Sequence, residues 1–167
     1  MLVGLMADTH DCLPMVEKAV RRFNDESVEL VLHAGDYVAP FVVSRFRGLK
    51  AKLTGVFGNN DGDRELLKKR FSENEMEIHG NFAEIRADNV KIALLHGSEE
   101  ELLKALIESE AFDILVHGHT HKAETYRKGK TLVVNPGEVC GYLTGKSTIA
   151  LLDTSKPEVK IINLASL

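Results

Sequence analysis

Two histidines, His119 and His121, are separated by a single residue and closely follow the short apolar run 114–116. Such a run, followed by an abrupt change to polar residues, is typical of a buried strand that delivers side chains to a surface crevice. Neutral imidazole is the commonest metal ligand among side chains. An isolated His-x-His pair is more often a polar loop, so this pair predicts half of a metal site only if similar residues recur at other strand ends.

Similar residues do recur. Metal-capable side chains follow four further apolar runs: Asp8 and His10, then Asp36, then Asn59, then His96. The carboxyl ends of strands in α/β sheets converge on one crevice, so groups far apart in sequence can meet in one site. Seven ligands are too many for one tetrahedral ion and suit two ions that share a carboxylate, roughly 3.5–4 Å apart. We predict that Asp36 is shared, and the mixed nitrogen and oxygen set favours Mn, Fe, Co, Ni or Zn over Ca or Mg.

The elements that must position these residues alternate between strand and helix over the first two-thirds of the chain and are β only thereafter. The predicted strands cover residues 2–7, 30–34, 52–57, 82–86, 91–95, 114–116, 131–134, 148–152 and 159–164. The predicted helices cover 14–24 and 40–46, a segment capped by Asp63, and a segment that begins with a Ser98-x-x-Glu101 capping box. This order predicts an α/β layered sheet or sandwich, in one domain over residues 1–167.

Composition narrows the classes of function. The hydrophobic content of 44% and charged content of 28% are ordinary for a globular protein. A formal net charge of -4 gives no case for a surface that wraps nucleic acid. The apolar start lacks a basic leader and reaches Asp8 too soon for a signal peptide or membrane span, so we expect a cytoplasmic protein without a membrane partner. Cys12 and Cys140 lack the spacing of a disulfide framework or zinc knuckle.

The spacing of the candidate ligands is that of a known family. The motifs Asp8-x-His10, Gly35-Asp36, Gly58-Asn59-Asn60-Asp61, His96-Gly97 and Gly118-His119-x-His121 resemble those of the calcineurin-like metallophosphoesterases. The match spans nearly the whole chain. Its length, the Asn135-Pro136-Gly137 turn and the absence of a cap domain make the chain most similar to the minimal YfcE-type phosphodiesterases, particularly archaeal ones.

This resemblance implies an αββα two-sheet sandwich and a phosphodiesterase that acts on small molecules with a metal-bridging hydroxide as nucleophile. It assigns Asp8, His10, Asp36 and His121 to one metal, and Asp36, Asn59, His96 and His119 to the other, with Mn or Ni favoured. It gives Asp36, Asn59 and His96 a part in catalysis, Asn59 near the phosphate. Asn60 stands where the superfamily has a histidine, and its neutral amide cannot protonate the leaving group. A homo-oligomer is compatible with the sequence.

Two other functions are alternatives to this one. A non-catalytic scaffold is the first, because the retromer complex contains a protein of this fold and fold alone does not imply catalysis. A pure scaffold has no physical reason to keep all seven ligand positions. A dinucleotide-binding domain is the second, and it needs a Gly-x-Gly-x-x-Gly motif after the first strand, which residues 7–12 lack.

Several remaining polar residues allow a structural and a functional interpretation. His33 is either a partner that orients a ligand or a satisfied buried histidine. Asn135 and Gly137 are turn formers or, less simply, phosphate contacts. For the others the structural interpretation is favoured: Cys12 as a small residue, His79 and the basic run 68–70 as solvated, and His117 without an assigned role.

Overall fold

The computed structural model describes residues 1–166, and none of its helices is long and apolar enough to cross a membrane. The strands are β1 (Leu2–Met6), β2 (Leu30–His33), β3 (Lys52–Gly55), β4 (Glu77–Ile78), β5 (Phe82–Ala87), β6 (Val90–Leu95), β7 (Ile114–Val116), β8 (Glu124–Lys128), β9 (Thr131–Asn135), β10 (Thr148–Asp153) and β11 (Glu158–Asn163). The α-helices are α1 (Leu13–Asp25), α2 (Arg64–Glu73) and α3 (Glu100–Ser109), and 3₁₀ segments cover Pro40–Gly48 and Leu164–Ser166.

The strands form two mixed sheets. The first sheet has the order β11-β10-β1-β2-β3-β4, in which β1 to β4 are parallel and β10 and β11 are antiparallel to their neighbours. The second has the order β5-β6-β7-β9-β8, with a parallel centre of β6, β7 and β9 and an antiparallel strand at each edge. In both sheets the parallel strands therefore end at one edge, where the polar residues follow them.

The sheets pack face to face and carry helices on their outer faces. Val3 and Leu5 of β1 face Ile92 and Leu94 of β6 in one buried cluster between the sheets. The other face of the first sheet packs against α1, α2 and the 3₁₀ segment, and α3 covers the second sheet. Strands buried on both faces read as continuous apolar runs, as the sequence showed. The predicted αββα sandwich is confirmed.

Helix α1 lies unusually close to the first sheet. A Cβ added to Gly4 of β1 would lie 2.6 Å from the ring of Phe23, which is fully buried. Burial of a Phe side chain contributes about 1.5–3 kcal/mol. The helix begins as predicted, with Pro14 in its first turn. The close contact between Gly4 and Phe23 fixes this helix, which follows the Asp8 loop, against the sheet.

The helix boundaries confirm one predicted cap and correct another. The side chain of Asp63 accepts a hydrogen bond of 3.0 Å from the backbone N–H of Leu66, as predicted for α2. The capping box at Ser98 was wrong, because the cap residue of α3 is Glu99 and the Ser98 hydroxyl instead donates to its carboxylate at 3.0 Å. Acidic side chains in the first turn of α3 supply the favourable charge at that end.

Three elements differ from the sequence prediction. The segment predicted as a helix over 40–46 is a 3₁₀ helix. The strand β4 has only two residues, too few for a pattern. The strand β8 has five exposed residues, so it shows no alternation of apolar and polar positions. It pairs with β9 at the edge of the second sheet, where one-sided burial is not required.

Candidate metal centre

The seven predicted ligands lie where the carboxyl edges of the two sheets meet. Asp8, Asp36 and Asn59 follow β1, β2 and β3 of the first sheet, whereas His96, His119 and His121 follow β6 and β7 of the second. Backbone hydrogen bonds join these loops: the N–H of Asp8 donates to Gly35 O (3.1 Å), that of His10 to Asp36 O (3.1 Å) and that of Gly118 to His96 O (3.0 Å). The structure thus brings together residues that are more than a hundred positions apart.

One end of the centre consists of Asp8, His10 and His121, whose nearest ligand atoms all lie within 4.8 Å of one another. His121 Nε2 is 3.5 Å from Asp8 Oδ1, and His10 Nε2 is 3.8 Å from the same oxygen. The two imidazole rings are 5.1 Å apart between centroids. Together with Asp36, these residues are the set that the resemblance assigns to one ion.

The other end consists of His96, His119 and Asn59. The Nδ1 of His96 donates to Ala34 O at 2.8 Å, so in the neutral ring Nε2 is the nitrogen whose lone pair is directed toward the centre. His119 Nδ1 and Asn59 Oδ1 are 3.0 Å apart, and the backbone N–H of His119 donates to Asp8 Oδ2 at 3.1 Å. His96 and His119 are 5.1 Å apart between ring centroids.

Asp36 lies between the two ends. Its Oδ2 is 3.3 Å from His10 Nε2 and 3.3 Å from His96 Nε2. Burial opposes its charge, but the close imidazoles of His10 and His96 hold the pKa of Asp36 well below its usual range. Burial likewise opposes the charge of His96, and Asp36 outweighs it, so the pKa of His96 is raised. The position of Asp36 is the one expected of a carboxylate shared by two cations.

The donor set fits metal ions in three respects. First, the described residues contain five buried side-chain atoms without a hydrogen-bond partner, and three of them meet here: Asp8 Oδ1, His10 Nε2 and His96 Nε2. Buried polar groups are normally paired, so orphaned atoms that converge indicate an ion site. Second, ligands about 2.1 Å from an ion lie about 3.0–3.4 Å apart, close to the separations described above. Third, the carboxylates of Asp36 and Asp8 raise the pKa of His10 to about 10, which reflects excess negative charge.

The backbone around the ligands is strained. Five of the seven have φ in the left-handed region: Asp8 (51°), His10 (38°), Asp36 (61°), His119 (68°) and His121 (63°). Non-glycine residues rarely adopt this conformation, which costs of order 1–3 kcal/mol each and persists at functional sites where the surroundings enforce it. These backbone angles belong to the loops that bring the predicted ligands together.

The residues after Asn59 hold Asp36 in place. The side-chain amide of Asn60 donates to Asp36 Oδ2 at 2.7 Å and its backbone N–H donates to Oδ1 at 2.8 Å. The carboxylate of Asp61 accepts hydrogen bonds from the backbone N–H groups of Asp36 (3.1 Å), Val38 (2.8 Å) and Gly58 (2.7 Å). Burial raises the pKa of Asp61. Asn60 therefore contacts a predicted ligand rather than standing apart from the site.

His33 combines the two roles that the sequence left open. It is fully buried, and its Nδ1 accepts a hydrogen bond of 3.1 Å from the N–H of Gly35. Its Nε2 is 3.3 Å from the hydroxyl of Thr9. Burial lowers the pKa of His33 to about 3. His33 is thus a satisfied neutral histidine that also bonds to neighbours of Asp36 and Asp8.

Two other candidates, His117 and Asn135, both contact the backbone oxygen of Gly118. His117 is buried, with Nδ1 3.1 Å from Gly118 O, and burial lowers its pKa. The amide of Asn135 donates to Gly118 O (2.9 Å) and to the Thr120 hydroxyl (3.0 Å), so it holds the loop that carries His119 and His121.

Glu138 was missed by sequence reasoning. It is fully buried, and its Oε2 is 2.7 Å from His121 Nδ1. Burial opposes its charge, but hydrogen bonds from His121 and Thr144 lower the pKa of Glu138 to about 2. The available signal was a charged residue beside Val139 and Cys140, three positions after β9 and at the same sheet edge as the other polar residues.

A cavity of about 230 Å³ adjoins the centre at the end formed by Asn59 and His96. Its further lining residues are Phe57, Gly58, Arg64, Asn81, Ser98 and Glu99. The Arg64 guanidinium lies over the Phe57 ring at 5.0 Å and donates to Gly58 O and Asn81 Oδ1. A larger cavity of about 390 Å³, between Pro40–Gly48 and α2, contains none of the predicted ligands.

Comparison with known proteins finds matches over nearly the whole chain. A family model for the calcineurin-like phosphoesterase superfamily domain matches residues 1–157. Phosphodiesterase MJ0936 of Methanocaldococcus jannaschii is 44% identical over 165 residues, which cover 98% of this chain and 99% of that protein.

Two solved structures share the fold of this chain. The structure of a novel archaeal phosphodiesterase matches with a TM-score of 0.94 and 43% identity, covering 98% of this chain and 99% of the other. Vps29 of Entamoeba histolytica, in complex with zinc, matches with a TM-score of 0.73 and 23% identity, covering 98% and 99%. The second likeness shows a shared fold alone.

Proposed function

The chain belongs to the calcineurin-like phosphoesterase superfamily, and on that premise we propose that it is a metal-dependent phosphodiesterase with two divalent transition-metal ions. The observation that carries the proposal is the meeting of three orphaned buried atoms, on Asp8, His10 and His96, around the Asp36 carboxylate. The relative named a phosphodiesterase is similar over almost its whole length.

We assign the ligands to two ions. Asp8, His10, Asp36 and His121 would hold one, and Asp36, Asn59, His96 and His119 the other. When bound, such ions polarise phosphoryl oxygens and lower the pKa of water to roughly 7, which provides a nucleophile at neutral pH. Mn, Fe, Co, Ni and Zn all suit this donor set, and Mn and Ni are the first to test.

The chain's own residues hold and orient these groups. Asp36 supplies negative charge to both ends, and its two oxygens are fixed by Asn60. Asn59 is exposed beside His119, so its amide is accessible to a phosphate at that end. His96 is fixed by its bond to Ala34 O and cannot rotate without losing it.

The cavity at the Asn59 end is where we place one substituent of the diester. Its rim carries polar groups of Arg64, Asn81 and Glu99, and the guanidinium of Arg64 is held rigid by its own contacts. A substituent rich in hydroxyl or carbonyl groups fits such a rim better than an alkyl chain, because an alkyl chain would cover these polar groups without giving them hydrogen-bond partners.

The scaffold alternative is weaker. Its support is a likeness to Vps29 at 23% identity, which concerns the fold, whereas the donor set and its orphaned atoms have no use in a scaffold.

We propose a cytoplasmic location as well, because Cys12 and Cys140 are free thiols that suit a reducing compartment.

The test is metal content together with hydrolysis. We expect two ions per chain after dialysis against Mn²⁺ or Ni²⁺, hydrolysis of aryl phosphodiesters, and loss of activity on chelation. Asp36→Asn should lose both ions, whereas His121→Ala should lose mainly one. A stoichiometry near zero in the folded wild type, or equal metal content in the two variants, would contradict the proposal.

A further inference from the structure

The carboxylate of Glu138 is surrounded by hydrogen-bond donors. Its Oε1 accepts from the backbone N–H groups of Leu143 (3.1 Å) and Thr144 (2.6 Å) and from the Thr144 hydroxyl (2.7 Å). Its Oε2 accepts from His121 Nδ1 (2.7 Å), from the Cys140 thiol (3.0 Å) and from the Leu143 N–H, which is shared between the two oxygens (3.2 Å). The Glu138 carboxylate is fully buried, and hydrogen bonds to both of its oxygens hold it in one orientation.

These donors also argue against an ion between Glu138, His121 and Cys140, although their ligand atoms lie within 4.8 Å of one another. Each of those atoms is already engaged in a hydrogen bond with another member of the group. The group is a hydrogen-bonded support behind His121.

The same segment is bonded to the Asp8 loop. The N–H of Val139 donates to Ala7 O at 3.0 Å, and that of Cys140 donates to Asp8 O at 3.2 Å. The residues that surround Glu138 are therefore fixed to the backbone of Asp8, while its side chain is fixed to His121. Two of the ligands at this end, Asp8 and His121, therefore depend on one short segment, residues 138–144.

We propose that Glu138 is a positioning residue that keeps the proton of His121 on Nδ1, so that Nε2 offers its lone pair toward Asp8 and the ion at that end. The inference rests on the proposed function, because it takes His121 as a metal ligand. Nε2 is the atom of His121 that faces the centre, 3.5 Å from Asp8 Oδ1. Partners of this kind set the tautomer and orientation of a ligating imidazole.

The variant Glu138→Gln tests the proposal sharply. Both Thr144 donors reach Oε1 at close range, 2.6 and 2.7 Å, whereas the Leu143 N–H is shared between the two oxygens. The amide oxygen of the glutamine therefore belongs at Oε1, and its NH₂ group faces His121 Nδ1. Two donors then oppose each other unless the histidine proton moves to Nε2. A protonated Nε2 has no lone pair for an ion. The same change at the exposed Glu158 of β11 is the matched control.

We expect titration calorimetry to show that Glu138→Gln weakens one of the two ions by about 10–100-fold and leaves the other within about threefold, whereas Glu158→Gln changes neither. Nitrogen-15 NMR of the histidines, recorded under chelation, should show His121 protonated on Nδ1 in the wild type and on Nε2 in Glu138→Gln. Both readouts are independent of hydrolysis.

The outcomes are separable. Wild-type affinity for both ions in Glu138→Gln, or an unchanged tautomer, would overturn the role of Glu138 while leaving the proposed function intact. A wild type that binds no metal would overturn the proposed function, and the tautomer would still decide the role of Glu138. If Glu138→Gln does not fold, a wild-type His121 protonated on Nε2 overturns the inference and one protonated on Nδ1 supports it.

Discussion

Asp36 is the residue on which the interactions of the centre converge. Its Oδ2 lies within 3.3 Å of two imidazole nitrogens and accepts a hydrogen bond from the Asn60 amide at 2.7 Å. The sequence indicated Asp36 as the shared carboxylate because it is the lone acidic residue after its strand. The contact with Asn60 has no signal in the sequence, because the two residues are 24 positions apart.

Asn60 leads to a prediction about leaving groups. A general acid typically contributes about 10²–10⁴-fold by protonating a leaving oxygen, and an amide cannot do so. We expect aryl phosphodiesters, whose leaving groups depart unprotonated, to be hydrolysed far faster than alkyl phosphodiesters. Asn60→His should raise kcat/KM for alkyl diesters more than for aryl diesters, measured with the same metal.

Asn60→Ala is the control for that experiment, because it removes the bond to Asp36 without supplying a donor. It should leave the ratio of aryl to alkyl rates unchanged. A flat dependence of the wild-type rate on the leaving group would show that another residue supplies the proton, and Asp61 would be the first to test.

His33 leads to a prediction about pH. Its pKa is about 3 in the folded protein against 6.5 for the free side chain, so below pH 6.5 the unfolded chain binds a proton that the folded chain does not. Stability is therefore lost as pH falls from 6.5 toward 3, by about 2 kcal/mol at pH 5. His33→Gln, which cannot titrate, should lose about that much less between pH 7 and pH 5.

The measurement is urea unfolding of both proteins at pH 7 and pH 5, with a chelator present. Other groups titrate in this range in both proteins, so the difference between the two losses isolates His33. If wild type and His33→Gln lose the same free energy of unfolding, burial does not lower the pKa of His33 in the folded protein.

At the scale of elements, the strand ends were predictable and the loops that follow them were not. Continuous apolar runs revealed where β1, β2, β6 and β7 end, and thereby the predicted ligands. The left-handed backbone of residues such as Asp8 and His119 has no signal in sequence, because asparagine or glycine is the usual marker of that conformation. Glu138 was missed for a related reason, since its partner His121 is 17 positions away.

The loop after β3 offers a test of how closely these elements approach. A Cβ added to Gly58 would clash with the carboxylate of Asp36, lying 2.8 Å from its Cγ and 2.5 Å from its backbone N, whereas one added to Gly62 would meet nothing within 4 Å. Gly58→Ala should therefore displace Asp36, lower the affinity for both ions and destabilise the fold by about 1–3 kcal/mol.

Gly62→Ala makes the same chemical change four residues later in the same loop and should leave metal affinity and stability nearly unchanged. Calorimetric metal titration and urea unfolding of both variants decide the matter. Similar behaviour of the two would mean that the contact between Gly58 and Asp36 does not constrain the centre.

At the scale of the whole molecule, the centre joins two sheets that the sequence could not separate. The alternation of strands and helices predicted an α/β layered sheet, and the resemblance supplied the two-sheet arrangement. The sequence order does not show that β10 and β11 return to β1 whereas β9 joins β7. Such pairings depend on contacts between distant residues, so they follow from the complete fold rather than from local pattern.

This arrangement predicts how metal binding affects stability. Asp8, Asp36 and Asn59 belong to the first sheet and the three histidines 96, 119 and 121 to the second, so ions held between them would bind only when both sheets are folded. A ligand at 100 times its Kd stabilises the folded state by about 2.7 kcal/mol, which for a domain of this size raises Tm by about 5–10 °C per site.

We expect calorimetric melting to show one transition, because the two sheets share a continuous core, and expect its midpoint to rise with free metal concentration. In Asp36→Asn the rise should be nearly abolished, since both ends lose their common carboxylate. His121→Ala should keep about half of it, because the other end retains its ligands. Two transitions, of which metal shifts only one, would show that a single sheet holds the ions and that the centre does not join the two halves of the sandwich.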